Sequence, residues 1–128
     1  MLINLTNHPY QSWGQKQKDD INTKYGKVVD MTFPFLDPNE PNEEEKIAQL
    51  VREYRDKLIT LKPDAVLLMG EWSFTMSLVN ELLKNNIKVL STAINLDMKI
   101  TKNPDGSTSR IANIHYVGLR EYHYLKVI

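Results

Sequence analysis

The chain has 128 residues, 41% of them apolar and 25% charged, which fits one globular domain over 1–128 with an ordinary core and excludes global disorder. Sixteen basic residues balance sixteen acidic ones, so no large positive field exists to hold a long nucleic acid, and a small anionic ligand is the charged partner left open. There is no cysteine, which excludes a disulfide framework, a thiolate metal site and a thiol nucleophile.

Residues 1–6 (MLINLT) are short, aliphatic and blocked by Asn7, His8 and Pro9, the pattern of a buried strand running into a loop. Ser12 with Gln15 makes a capping-box pair and Gly26 a stop, so a helix is predicted over 12–25 with a thin apolar stripe of Trp13, Ile21 and Tyr25. Residues 27–33 (KVVDMTF) read as a second strand ended by Pro34. Asn42 is expected to cap a helix with Glu43, Glu44 and Glu45 in its first turn, where they oppose the positive end of the dipole. Ile47, Leu50, Val51, Tyr54 and Leu58 give that helix one apolar face.

After Pro63 and Asp64, residues 65–69 (AVLLM) form a continuous apolar run, the type covered on both faces in a parallel sheet, and the natural central strand. The longest apolar stretch, 65–70, is far below the roughly 20 residues that span a bilayer, and Met1 leads into a strand without a basic leader, so a soluble cytoplasmic protein is expected. Ser73 is placed to cap a helix carrying Phe74, Leu78, Val79, Leu82 and Leu83, which ends near Asn85 and Asn86. Residues 87–92 (IKVLST) make a fourth strand. Beyond them Met98 and Ile100 alternate with polar residues, 103–106 (NPDG) is a turn, and 110–119 is strand-like, an antiparallel hairpin. The alternation predicts a three-layer α/β fold, Rossmann-like, with a mostly parallel sheet and a C-terminal antiparallel hairpin.

In such a sheet ligands sit beyond the carboxyl ends of the strands, where the strand order reverses. The first strand's loop offers Asn7, His8 and Ser12; the third strand's offers Gly70, Glu71, Trp72, Ser73, Phe74 and Thr75. Gly70 permits close backbone approach, and the amides of the next helix's first turn would accept a phosphate without any basic residue. His8 carries an imidazole, a group that suits proton transfer or phosphate pairing, while Glu71 suits a ribose hydroxyl or a base role. Against these stand plainer readings: a strand-to-helix turn for 7–9, a solvated carboxylate at a helix start for Glu71, packing for Trp13 and Trp72, and caps for Ser73 and Thr75. Arg110 and His115 fall on a strand, where their spacing does not bring them onto one face. No glycine-rich phosphate loop exists, which argues against nicotinamide dependence or NTP hydrolysis, and no ligand set for a metal is evident. No cofactor is expected.

The opening MLINLTNHP, the strand VVDMTFPF, the block LLMGEWSFT with LVNELLKNNIKVLST, and the late REY together resemble small stand-alone CRISPR-associated Rossmann-like proteins. That group is similar to the CARF sensor domains and the ring nucleases of type III CRISPR systems. The resemblance implies a homodimer that binds a cyclic oligoadenylate across its two-fold axis, with cyclic tetra-adenylate favoured, and either cleaves the ring or only sequesters it. By position it implies sites at Asn7 and His8 and at Gly70, Glu71, Ser73 and Thr75, but neither loop carries the lysine or arginine that ring nucleases often use.

Ring opening needs only a ribose 2′-hydroxyl held in line with its phosphate, and no metal. Arg120 is a distant source of positive charge, from the last strand or from the partner subunit. Two competing readings are a nucleoside-processing enzyme with Glu71 as nucleophile, and a non-catalytic module whose hairpin, with Tyr116 and Tyr122, forms a protein interface.

Overall fold

The computed structural model describes residues 1–124. Its strands are β1 (Leu2–Leu5), β2 (Val28–Asp30), β3 (Ala65–Leu68), β4 (Val89–Lys102) and β5 (Thr108–Glu121), joined in one sheet of order β2-β1-β3-β4-β5. β1 is parallel to β2 and to β3, β3 is parallel to β4, and β4 pairs antiparallel with β5. The α-helices among the described residues are α1 (Gln15–Tyr25), α2 (Glu43–Leu61) and α3 (Trp72–Lys84). This is the mostly parallel α/β sheet with a C-terminal hairpin that the sequence predicts, and β3 lies at its centre.

The period of two along β1 and β3 divides the core into two halves. Ile3, Leu5, Val66 and Leu68 face α2 and α3, packing with Val51, Leu58, Phe74, Leu78 and Leu82. Leu2, Ala65 and Leu67 face the other way, with Trp13 and Ile21 of the α1 layer. All four residues of β3 are buried, which explains its unbroken apolar sequence. Asn4, on the α1 side of β1, is 1% exposed and is one of two buried polar residues among those described.

Several local expectations are corrected. α1 starts at Gln15 with Gly14 as its cap; Ser12 belongs to a preceding 3-10 turn, Tyr10–Ser12, where its hydroxyl donates to the Pro9 carbonyl at 2.7 Å, so the capping box does not form. Gly26 does stop the helix, with φ of 72°. β2 ends at Asp30, short of Phe33, because the Asp30 carboxylate turns back to bond Asn4 and the Tyr10 amide. Met31, Phe33 and Leu36 instead pack as a loop on the α2/α3 half of the core. Asn42 precedes α2 in the left-handed region at φ of 60° and its side chain caps nothing, leaving Glu43, Glu44 and Glu45 to meet the helix dipole.

β4 runs well past Thr92, the end expected from sequence, since residues 93–102 keep the strand period. The β3–β4 ladder covers only Val66–Val89 and Leu67–Leu90. Just beyond it, the Thr92 amide and hydroxyl donate to the Met69 thioether sulfur at 3.2 and 3.3 Å, and β4 departs from the sheet with β5 as a ribbon. A bulge at Ala93/Ile94 marks the departure, and Gly106, at φ of 88°, closes the turn at the tip.

Candidate functional site

Where β4 leaves β3, a cleft of about 610 Å³ opens beyond the carboxyl ends of β1 and β3. Asn7, His8, Ser12 and Gly70 line it together, so the two polar loops singled out in sequence meet. Its walls are Trp13 and Gln17 on one side and Ile94, Ile114 and Tyr116 of the hairpin on the other. No lysine or arginine lines it among the described residues.

The loop that carries His8 is fixed by its own main chain. The His8 carbonyl accepts the Asn4 amide at 2.8 Å, the Thr6 hydroxyl at 3.1 Å and the Trp13 indole N–H at 3.1 Å. Asn4 also donates to Asp30 at 2.8 Å and accepts from the Thr6 hydroxyl at 2.8 Å. With its backbone so anchored, the loop leaves His8 exposed on the cleft lining. Sequence reasoning missed Asn4, Thr6 and Asp30; the signal was a lone amide within an aliphatic strand, and a carboxylate closing the next.

The second loop divides. Gly70 lines the cleft, but the close approach it permits is internal: the Phe33 ring occupies the place of its missing side chain. Glu71, not Ser73, caps α3. Its carboxylate accepts the Ser73 and Phe74 amides, each at 2.9 Å. Desolvation raises the pKa of that carboxyl, but the amide bonds from Phe74 and Ser73, with the Ser73 hydroxyl, outweigh it and hold the group below the usual glutamate range. The helix amides expected to receive a phosphate are thus already occupied, and a carboxylate so held is a poor base or nucleophile.

A folded-state pKa below the unfolded value adds stability above the unfolded pKa, which is lost as pH falls through the folded one. Glu71→Gln is therefore expected to lower stability by about 0.5–1 kcal/mol at pH 7 and to narrow the gap to wild type below pH ~4. Thermal unfolding across pH checks it; an undiminished gap at low pH would refute the cap's charge dependence.

Trp72 is 78% exposed, Phe74 is fully buried in the core, and Thr75 is buried with its hydroxyl lacking a partner among the described residues. Ser73 lines a different hollow, the groove between α2 and α3, with Arg52, Arg55 and Glu81. That groove, about 680 Å³, runs between α2 and α3 and takes in none of Asn7, His8, Ser12 or Gly70. Arg120 pairs opposite Ser91 in the β4–β5 ladder and does not line the cleft.

Tyr116 and Tyr122, expected in one reading to face a protein partner, bond within the chain: Tyr116 donates to Asp20 at 3.0 Å and Tyr122 to the Leu68 carbonyl at 3.1 Å. Burial first, then the Asp20 carboxylate, raises the Tyr116 pKa far above the ordinary phenol value, so it stays protonated and clamps the hairpin base to α1. Among the described residues that line the cleft, His8 is then the side chain whose chemistry suits proton transfer. Among the described residues no cluster of three His, Asp or Glu side chains is arranged to hold a metal. No described helix is long and apolar enough to cross a membrane.

The family model described as "Uncharacterized protein MJ1673 family" matches residues 1–120. No curated protein matches the chain.

Proposed function

The chain belongs to the MJ1673 family, and we propose that its cleft at the ends of β1 and β3 binds a cyclic oligoadenylate of type III CRISPR defence as a cytoplasmic homodimer, and opens the ring slowly without metal. The observation that carries the reading is the convergence of Asn7, His8, Ser12 and Gly70 in one cleft at the strand ends. Its volume is of the size that nucleotide-like ligands occupy. The sequence resemblance supplies the ligand class. A two-fold pair of such clefts would hold equivalent parts of a symmetric ring.

In this reading the Asn7 side-chain amide donates a hydrogen bond to a phosphate oxygen, Ser12, whose hydroxyl is held by the Pro9 carbonyl, only shapes the lining, and His8 takes the proton from the attacking 2′-hydroxyl. Cleavage breaks the P–O5′ bond, leaves a 2′,3′-cyclic phosphate, and the departing 5′-oxygen takes up a proton. Without a cation in the cleft the transition-state charge meets only neutral dipoles, so turnover is slow. The capture of Glu71 by α3 favours a second reading, a sponge that retains the ring uncut.

The test incubates the purified protein with cyclic tetra-adenylate and other ring sizes, free of metal, and follows retention and linear products. Wild type is expected to do both, and His8→Ala to lose about 10²–10³-fold in cleavage while retaining the ring within roughly tenfold. Retention without products in wild type leaves the sponge; neither retention nor products overturns the whole reading.

A further inference from the structure

The β4–β5 ribbon carries an apolar face that stays largely open among the described residues. The register places Ile94 opposite Tyr116, Leu96 opposite Ile114 and Met98 opposite Ala112, while the other face holds Asn95 with His115 and Asp97 with Asn113. Ile94, Leu96, Met98, Ile100 and Ile114 are 47–64% exposed. A two-stranded ribbon that projects from its core is marginally stable in water, and one with an aliphatic face lacks a layer. We propose that a second copy of this chain supplies that layer, ribbon face on ribbon face, and by doing so closes the cleft.

Area supports this occupant. The five side chains leave roughly 500 Å² of apolar surface open, and two copies facing each other bring about twice that, which with polar flanks reaches the size of a specific interface. Charge supports it too. From Ile94 to Met98 and across to Ala112 and Tyr116 the face carries no ionisable side chain except the phenol held by Asp20; its cations, Arg110 opposite Ile100 and Lys102 beyond, stand at the outer end, away from the apolar centre. The formal net charge is zero, so copies do not repel. A two-fold pairing of one patch with itself satisfies both copies at once.

The consequence for the site is geometric. Ile94, Ile114 and Tyr116 belong both to this face and to the wall of the cleft. A partner seated on the face must therefore also cover the open side of the cleft, and the site is complete only in the pair. Self-association through the ribbon stands without any ligand; the coupling of association to ring retention rests on the function proposed above.

The experiment compares wild type, Leu96→Glu on the apolar face and Asn95→Glu on the polar face by sedimentation velocity from 1 to 100 µM, with circular dichroism to verify folding. Wild type and Asn95→Glu are expected to be dimers, and Leu96→Glu a folded monomer whose dimerisation is at least 100-fold weaker. Retention of cyclic tetra-adenylate is expected to fall at least tenfold in Leu96→Glu but not in Asn95→Glu. A monomeric wild type overturns the inference, as does a wild type monomer that floats with phosphatidylcholine vesicles, or a Leu96→Glu chain that remains a dimer. A monomeric Leu96→Glu that keeps full retention overturns the closure of the cleft. If wild type dimerises but retains no ring, the ribbon interface is supported and the ligand reading alone fails.

Discussion

Phe74→Ala is expected to remove about 3–5 kcal/mol of stability, the range for truncating a fully enclosed aromatic. Phe74 is 0% exposed, and its ring takes the edges of Phe33 and Tyr54 at centroid distances of 5.3 Å each. It joins three segments that no backbone ladder links: the loop after β2, the face of α2 and the first turn of α3. Its loss leaves a cavity and frees Phe33, which then no longer fills the space over Gly70. The measurement is urea unfolding, with a lower midpoint and an unchanged slope. Trp72→Ala, two residues earlier and mostly exposed, should stay within about 0.5 kcal/mol. Comparable losses at both positions would refute this division of α3 into a solvent face and a core face.

Asn4→Asp is expected to cost about 3–5 kcal/mol at pH 7, the scale of an uncompensated buried charge. The side-chain amide of Asn4 donates to the His8 carbonyl and to the Asp30 carboxylate. The substitution replaces that donor by an acceptor and sets two carboxylates at hydrogen-bond distance in a site that is 1% open. Like-charge repulsion and burial both raise the folded-state pKa of the introduced group. An acid with a raised folded pKa binds more protons folded than unfolded, so its penalty grows with pH above the unfolded value of about 4 and shrinks below it. The deficit relative to wild type should therefore be largest at neutral pH and narrow toward pH 4, and ring retention should fall as the His8 loop comes loose. Asp30→Asn, which keeps an oxygen for Asn4 and the Tyr10 amide, should change stability by less than half as much. A deficit independent of pH would show that the network is held by shape and not by charge.

The periods of the chain made the order of elements legible. Continuous burial at 65–68 marked the central strand, and the spacing from Ile47 to Leu58 marked the face of α2. The meeting of the loops after β1 and β3 followed from topology, and Asn7, His8, Ser12 and Gly70 do share a cleft. What could not be read was how neighbouring polar groups choose among partners. Ser12, Asn42 and Ser73 each had the right chemistry to cap a helix, and in each case a different arrangement prevails, because tertiary packing sets the backbone angles before a cap can form. Glu71 faced the same competition between solvent, ligand and its own helix, and the two amides lie nearest. The length of β4 was hidden because the fourth strand, 87–92, and the alternation of Met98 and Ile100 beyond it read as two separate elements, whereas one strand, Val89–Lys102, carries both.

That departure is secured by sulfur. A thioether is the weakest acceptor a backbone amide ordinarily meets, and here it takes the place a carbonyl would hold one step further along the ladder. The junction between Met69 and Thr92 is accordingly a weakly bonded step, with the four-residue β1–β3 pairing on one side and a two-stranded arm on the other. With so weak a bond at that step, the seat of the arm against the first helix layer falls to the Tyr116–Asp20 bond.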